Sequence, residues 1–223
     1  MPLIQTSASG STAGSRNLFK KFKNNSMSNI NYNPWVGKDY NQGYKGKKIL
    51  VLGESHYAPD GKIDEDLTQW VVRDIAYEPG GQNYLATFTC FERAIAGRQM
   101  SQEERADFWE SVIFYNYLQF PTEGPRTIPN PEHWAKSVDA FVEVLERYMP
   151  DYIIVWGARL YNALPDLGGY GGKMKLENGN AADYWMYQIK GKKIPALKIH
   201  HPSAPTGRNW ECWHYVIESF INN

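Results

Sequence analysis

Three apolar runs in this chain end in side chains able to handle protons or read a polar surface. Residues 194–199 lead into His200, His201, Pro202 and Ser203, residues 48–53 lead into Glu54, Ser55, His56 and Tyr57, and residues 112–117 carry Asn116. A buried strand leaving a core delivers its last side chains to the edge of its sheet, which is where open α/β sheets assemble their chemistry. An imidazole can donate to a leaving group, a carboxylate can orient water or oppose developing positive charge, and a carboxamide presents donor and acceptor side by side. Tyr57 adds a flat face for stacking. Together these types suit the handling of a planar heterocycle.

Such residues need elements to position them. From Lys48 onward apolar runs alternate with helical spacing, the signature of βα units and a mostly parallel sheet. Strands are predicted at 48–53, 112–117, 152–157 and 195–200. Helices are predicted at 65–77 and 84–96, and Ser101-Gln-Glu-Glu104 is a capping box opening a helix through Glu110. Asn130-Pro131 starts a helix that Trp134, Val138, Phe141, Val142, Leu145 and Tyr148 continue at helical spacing until Pro150. Further helices are expected at 158–164 and 210–221, with Trp210 and Trp213 on a core face. Turn signals at 177–180 and 191–192 bracket a polar/apolar alternation through 184–189, predicting a hairpin that adds one antiparallel strand. The fold class is α/β: a three-layer α/β/α sandwich around a central, mostly parallel sheet of about four strands. His200 points to the opposite side of its strand from His201 and is read as structural, while His133 and His214, in helices, are read as surface or packing residues.

The chain has 223 residues, enough for a single domain over 32–223 with a full core. Residues 1–31 are rich in Ser, Asn, Thr and Gly, and are expected to be a flexible basic tail in which 17–23 form a short amphipathic turn. Two cysteines, Cys90 and Cys212, exclude a disulfide framework and a four-thiolate metal site. The start lacks a secretory pattern and no run approaches the ~20 apolar residues that span a bilayer, so a cytoplasmic location with no membrane partner is expected. The net charge is zero, yet residues 1–48 hold eight Lys/Arg against one acid, a net +7, and residues 152–223 hold eight against five, a net +3. That segregation excludes a uniformly basic protein and leaves room for one basic face.

With the strands placed, an ordered set of segments resembles the uracil-DNA glycosylase superfamily over most of residues 48–220. Ile49-Leu-Val-Leu-Gly-Glu54 is similar to the first motif of the branch that reads Gly-Glu-x-Pro-Gly, and Val112-Ile-Phe-Tyr-Asn116 to the strand ending in the base-reading Asn. Arg126 to Trp134 and Pro150-Asp-Tyr-Ile-Ile-Val-Trp-Gly157 are similar to the linking helix and strand, and His201-Pro202-Ser203 to the second catalytic motif. His56 stands where the family has Pro, Ser55 stands where the common uracil enzymes carry a water-activating Asp, and the four cluster-binding cysteines of the Gly-Glu branch are missing.

The resemblance implies hydrolysis of an N-glycosidic bond in DNA after the target nucleotide is flipped out. It assigns His201 to the leaving base as hydrogen-bond donor, Glu54 to the water or sugar cation, and Asn116 to base recognition, with Tyr57, His56 and Ser55 lining the base. It places Ser203 and the backbone of Thr206-Gly207 against DNA phosphates and Arg208 or Asn209 near the gap left by the flipped base, with Lys47 contributing through counterion release. No metal and no cofactor are implied, DNA is the partner, and a monomer is expected. Two bases compete: uracil or another deaminated base, and a hypermodified phage cytosine, which would make the protein a defence factor. Two other classes stay open, a serine hydrolase using Ser55 with His201 as base and a non-catalytic DNA- or nucleotide-binding module.

Overall fold

Four strands form the centre of the sheet, their apolar residues alternating onto two covered faces. They are β2 (Ile49–Gly53), β3 (Ile113–Asn116), β4 (Tyr152–Trp156) and β7 (Lys192–Ile199). In a computed structural model that describes residues 29–58, 60–78, 80, 84–124, 127–175, 181–207 and 209–222, they pair in parallel in the order β3-β2-β4-β7. Three antiparallel strands extend this core: β1 (Trp35–Val36) beside β3, and the hairpin of β6 (Ala181–Ile189) and β5 (Tyr170–Lys175) beside β7. The full order is β1-β3-β2-β4-β7-β6-β5.

Side chains alternate between two cores, as the period of two in a strand requires. Ile49, Val51, Phe114, Ile154, Trp156 and Leu197 face one, with α1 (Leu67–Tyr77), α2 (Leu85–Ala96), α3 (Gln102–Glu110) and α7 (Trp210–Ile221) packed on them. Leu50, Leu52, Ile113, Tyr115, Ile153 and Val155 face the other, under α5 (Val138–Tyr148) and α6 (Ala158–Ala163). The short helix α4 (Pro131–Lys136) precedes α5 and starts at the expected Asn130 cap, whose side chain accepts from the Glu132 amide. Ser101 and Glu104 close the capping box of α3 in both directions.

The three-layer class is as expected, while the sheet holds seven strands rather than about four. β1 is two residues long and carries no period to read, and β5 begins Tyr-Gly-Gly, a composition that argues against strand. β7 starts at Lys192 rather than at 195, because Lys192 and Lys193 pair with β6 before β4 joins at Ala196. The single helix expected from Asn130 to Pro150 is two helices. Ser137, fully buried at the break, donates from Oγ to the His133 carbonyl and accepts from the Gln119 amide, a back-bond that bends helices. Asn31, at the end of the expected tail, bonds Gln119 twice, and Tyr32 beside it is wholly buried. Residues 1–28, with the expected turn at 17–23, and the turn at 177–180 lie outside the described residues. No helix among the described residues is long and apolar enough to cross a membrane.

Candidate active site

The carboxyl ends of the four parallel strands meet at one edge of the sheet and deliver Glu54 after β2, Asn116 at the end of β3, Arg159 after β4 and His201 after β7. The loop after β2 runs beside the loop after β3. Tyr117 and Leu118 donate to the carbonyls of Gly53 and Glu54, Thr122 donates to that of His56, and Ala58 donates back to Thr122. Gly53 is required by this approach: a Cβ there would lie 2.2 Å from the Asn116 carboxamide oxygen.

His201 sits in a turn stitched by Ala204 donating to the His201 carbonyl at 2.8 Å and Gly207 donating to Ala204 at 2.9 Å. Its Nδ1 accepts from the Ser203 backbone amide at 3.3 Å, with the Ser203 hydroxyl at 2.8 Å. A nitrogen that accepts from a backbone N–H carries no proton, so the neutral ring holds its proton on Nε2 and is a donor there. Burial lowers the imidazole pKa below its usual value, Glu54 works against that shift and Arg159 adds to it. The ring stands edge-on to Trp156 at 6.2 Å between centroids.

Glu54 accepts from Arg159 at both oxygens, Nε at 2.9 Å and an Nη on the other, while Arg159 Nη1 donates to the Thr127 carbonyl. The fork–fork pair fixes the carboxylate plane. The Glu54 side chain is 14% exposed and that of Arg159 47%. Tyr57 is half exposed on the same rim, its phenol pKa raised by burial and by Glu54 and lowered by Arg159.

His56 does not line an open pocket. It is buried, with Nε2 2.8 Å from Thr68 Oγ1 and 3.1 Å from the Asn116 amide nitrogen, and its ring 4.7 Å from that of Tyr32. The amide can only donate, so Nε2 accepts and His56 braces Asn116 from beneath. Burial pushes the His56 pKa down to about 4 against a weak opposing pull from Asp64, so the ring is neutral near pH 7.

Ser55 Oγ lies 3.4 Å from Thr122 Oγ1, and His201 is turned to Ser203. After Ser55 the chain continues through a loop to the first helix at Leu67, so the tight strand-to-helix turn of a nucleophile elbow is not formed. Ser203, expected on phosphate, holds His201 with both hydroxyl and amide. Gly207 is buried against the His201 carbonyl, Thr206 is exposed with its carbonyl accepting from Trp213 Nε1, and Arg208 lies outside the described residues. Lys47 precedes β2 and therefore lies at the amino-terminal edge, a strand length of roughly 17 Å from His201. His200 packs against Trp213 at 4.9 Å, and His214 bonds the Ala94 carbonyl, the structural roles expected of them.

Arg159 is the site residue that motif reading missed. Its signal was present, since it is a charged side chain two residues beyond Gly157, the end of a predicted strand, by the same criterion that selected Glu54 and His201. Among the described residues, no group of three or more His, Cys, Asp or Glu side chains is placed to hold a metal ion. Neither a protein-family model nor a curated protein matches this sequence. What fold and site define is therefore a class: a three-layer α/β domain with a neutral histidine, a clamped carboxylate and a braced carboxamide at the carboxyl edge of its parallel strands.

Proposed function

We propose that this protein is a DNA glycosylase that hydrolyses the N-glycosidic bond of a flipped-out damaged or modified base. The observation that carries the reading is the convergence of Glu54, Asn116 and His201 on one strand edge, with His201 held in the tautomer that donates from Nε2. In the reaction the bond between C1′ and the base nitrogen breaks, and the base leaves with the electron pair. His201 Nε2–H donates to the base oxygen where that charge collects. C1′ gains cationic character, which the Glu54 carboxylate opposes while Arg159 fixes its plane. Water adds to C1′ and loses a proton, giving an abasic sugar. Asn116, braced by His56, reads the base edge with its carboxamide oxygen and its second N–H. Tyr57 is the exposed ring nearest the base, and Ser203, Thr206 and Gly207 form the turn that brings the DNA backbone past His201.

The test is incubation in EDTA with DNA bearing uracil, hypoxanthine or a hypermodified cytosine, followed by alkaline strand cleavage. Cleavage at one of these bases, abolished by His201→Ala with DNA affinity retained, is expected. Retained DNA binding with no base released from any substrate would refute catalysis and leave a binding module. Esterase turnover dependent on Ser55, with no base release, would refute it in favour of a hydrolase. Release of uracil or hypoxanthine points to repair, and release of the modified cytosine alone points to defence.

A further inference from the structure

The displacement of Lys47 to the far edge of the sheet leaves that lysine unexplained by the site above. It lines a groove of about 730 Å3 at the amino-terminal edge of β2 and β4, together with Lys173, Lys192 and Lys193. A single carboxylate, Asp151, lines the same groove. Asp151 is engaged by Lys192 at 2.6 Å, and Lys173 leans on Asp183 at 3.6 Å. Lys47 and Lys193 have no carboxylate within ion-pair distance among the described residues, and Lys47 lies over the Tyr152 ring at 5.9 Å. The groove is thus cationic in a chain whose net charge is zero. Its wall carries Tyr152, Tyr184 and Phe220, the Phe220 ring 5.4 Å from that of Tyr152 and 6.3 Å from that of Tyr184, and Met186 also lines it.

We propose that this groove is a second ligand site, and that its ligand is a free nucleotide with two or three phosphates. Lysine ammonium groups are point-charge partners for phosphate, and a wall of aromatic rings and a thioether suits the face of a planar base. The volume of the groove falls within the range of small-molecule sites. None of Glu54, Asn116, Arg159 or His201 lines the groove, so the proposal does not rest on base excision.

The test is equilibrium binding of ATP, GTP, inorganic triphosphate and a short single-stranded oligonucleotide to the full chain, followed by calorimetry. Wild type and His201→Ala should bind a nucleotide alike, Lys47→Ala/Lys193→Ala should weaken it by roughly tenfold or more, and Tyr184→Ala should weaken nucleotide more than triphosphate. All of the substituted groove side chains are at least partly exposed, and unchanged melting temperatures confirm intact folds. No saturable binding, equal affinity for triphosphate and nucleotide, or binding indifferent to the lysine pair would each overturn the proposal. Oligonucleotide binding at least tenfold tighter than nucleotide, and dependent on the same lysines, would overturn the free nucleotide in favour of a nucleic-acid strand.

Discussion

Replacing Gly207 with Ala gives the most direct measure of how tightly the turn holds His201. A methyl group there would stand 1.9 Å from the His201 carbonyl oxygen, 2.7 Å from its carbonyl carbon and 3.1 Å from Pro202 Cα. Carbon and oxygen not bonded to each other settle at roughly 3.3 Å, so the turn must open by more than 1 Å. All three obstructing atoms are backbone, and no side chain can rotate away. Gly207 is not among the residues with positive φ, so the penalty is one of space alone. Overpacking of this kind costs about 2 kcal/mol, which lowers Tm by roughly 4–8 °C in a chain of this length. A shift of ~1 Å in a reacting group lowers turnover by roughly 100-fold. The assay is thermal unfolding of Gly207→Ala beside Gly124→Ala, with the His201 ring followed by NMR. Gly124 has nothing within 4 Å of an added Cβ, and its variant should match wild type within ~0.5 kcal/mol. A Gly207→Ala protein with wild-type Tm and an unmoved His201 resonance would refute the steric argument.

Three further outcomes are expected. Arg159→Met removes a charge that lowers the His201 pKa and Glu54→Gln removes one that raises it. The acid limb of turnover, which needs neutral His201, should therefore move to higher pH in the first variant and to lower pH in the second; movement in one direction in both would contradict the electrostatic assignment. His56 titrates near 6.5 unfolded and at about 4 folded, so its contribution to stability is complete above pH 6.5, declines as pH falls toward 4 and is then lost. That contribution is on the order of 3 kcal/mol, and His56→Gln should remove the corresponding part of the change in urea midpoint between pH 7 and pH 4.5. Glu92, 2% exposed, accepts from Arg105 Nε at 2.8 Å and from Trp109 Nε1 at 2.9 Å, and Arg105→Met should destabilise the fold by ~3–4 kcal/mol through the carboxylate left buried, read as a fall in Tm.

Much of the candidate site was legible before any coordinates because a short buried strand has only one way to end. The runs closing at Gly53, Asn116, Trp156 and Ile199 are predominantly apolar, which marks both faces as largely covered and the following residues as edge residues. What those residues touch was not legible. Ser203 has the type of a phosphate ligand and His56 that of a pocket residue; the fold also sets Ser203 against the His201 ring, and it turns His56 inward to brace Asn116. The hidden strands failed for local reasons: β1 is too short to show a period, and β5 is interrupted by glycines that sheet pairing tolerates.

The sequence by itself determined the layered α/β class, the positions of the parallel strands and the edge to which Glu54, Asn116 and His201 are delivered. These follow from patterns within a few residues, since burial on one or two faces imprints its period directly on the chain. Tertiary structure alone decided which charges meet. Glu54 and Arg159 are 105 residues apart in the chain and share two hydrogen bonds. Lys47, two residues before β2 begins, is carried to the far edge beside Lys193. Strand direction separates near neighbours in sequence by the length of the sheet, and strand order joins distant ones, so the electrostatics of both edges emerge only when the strands are laid side by side.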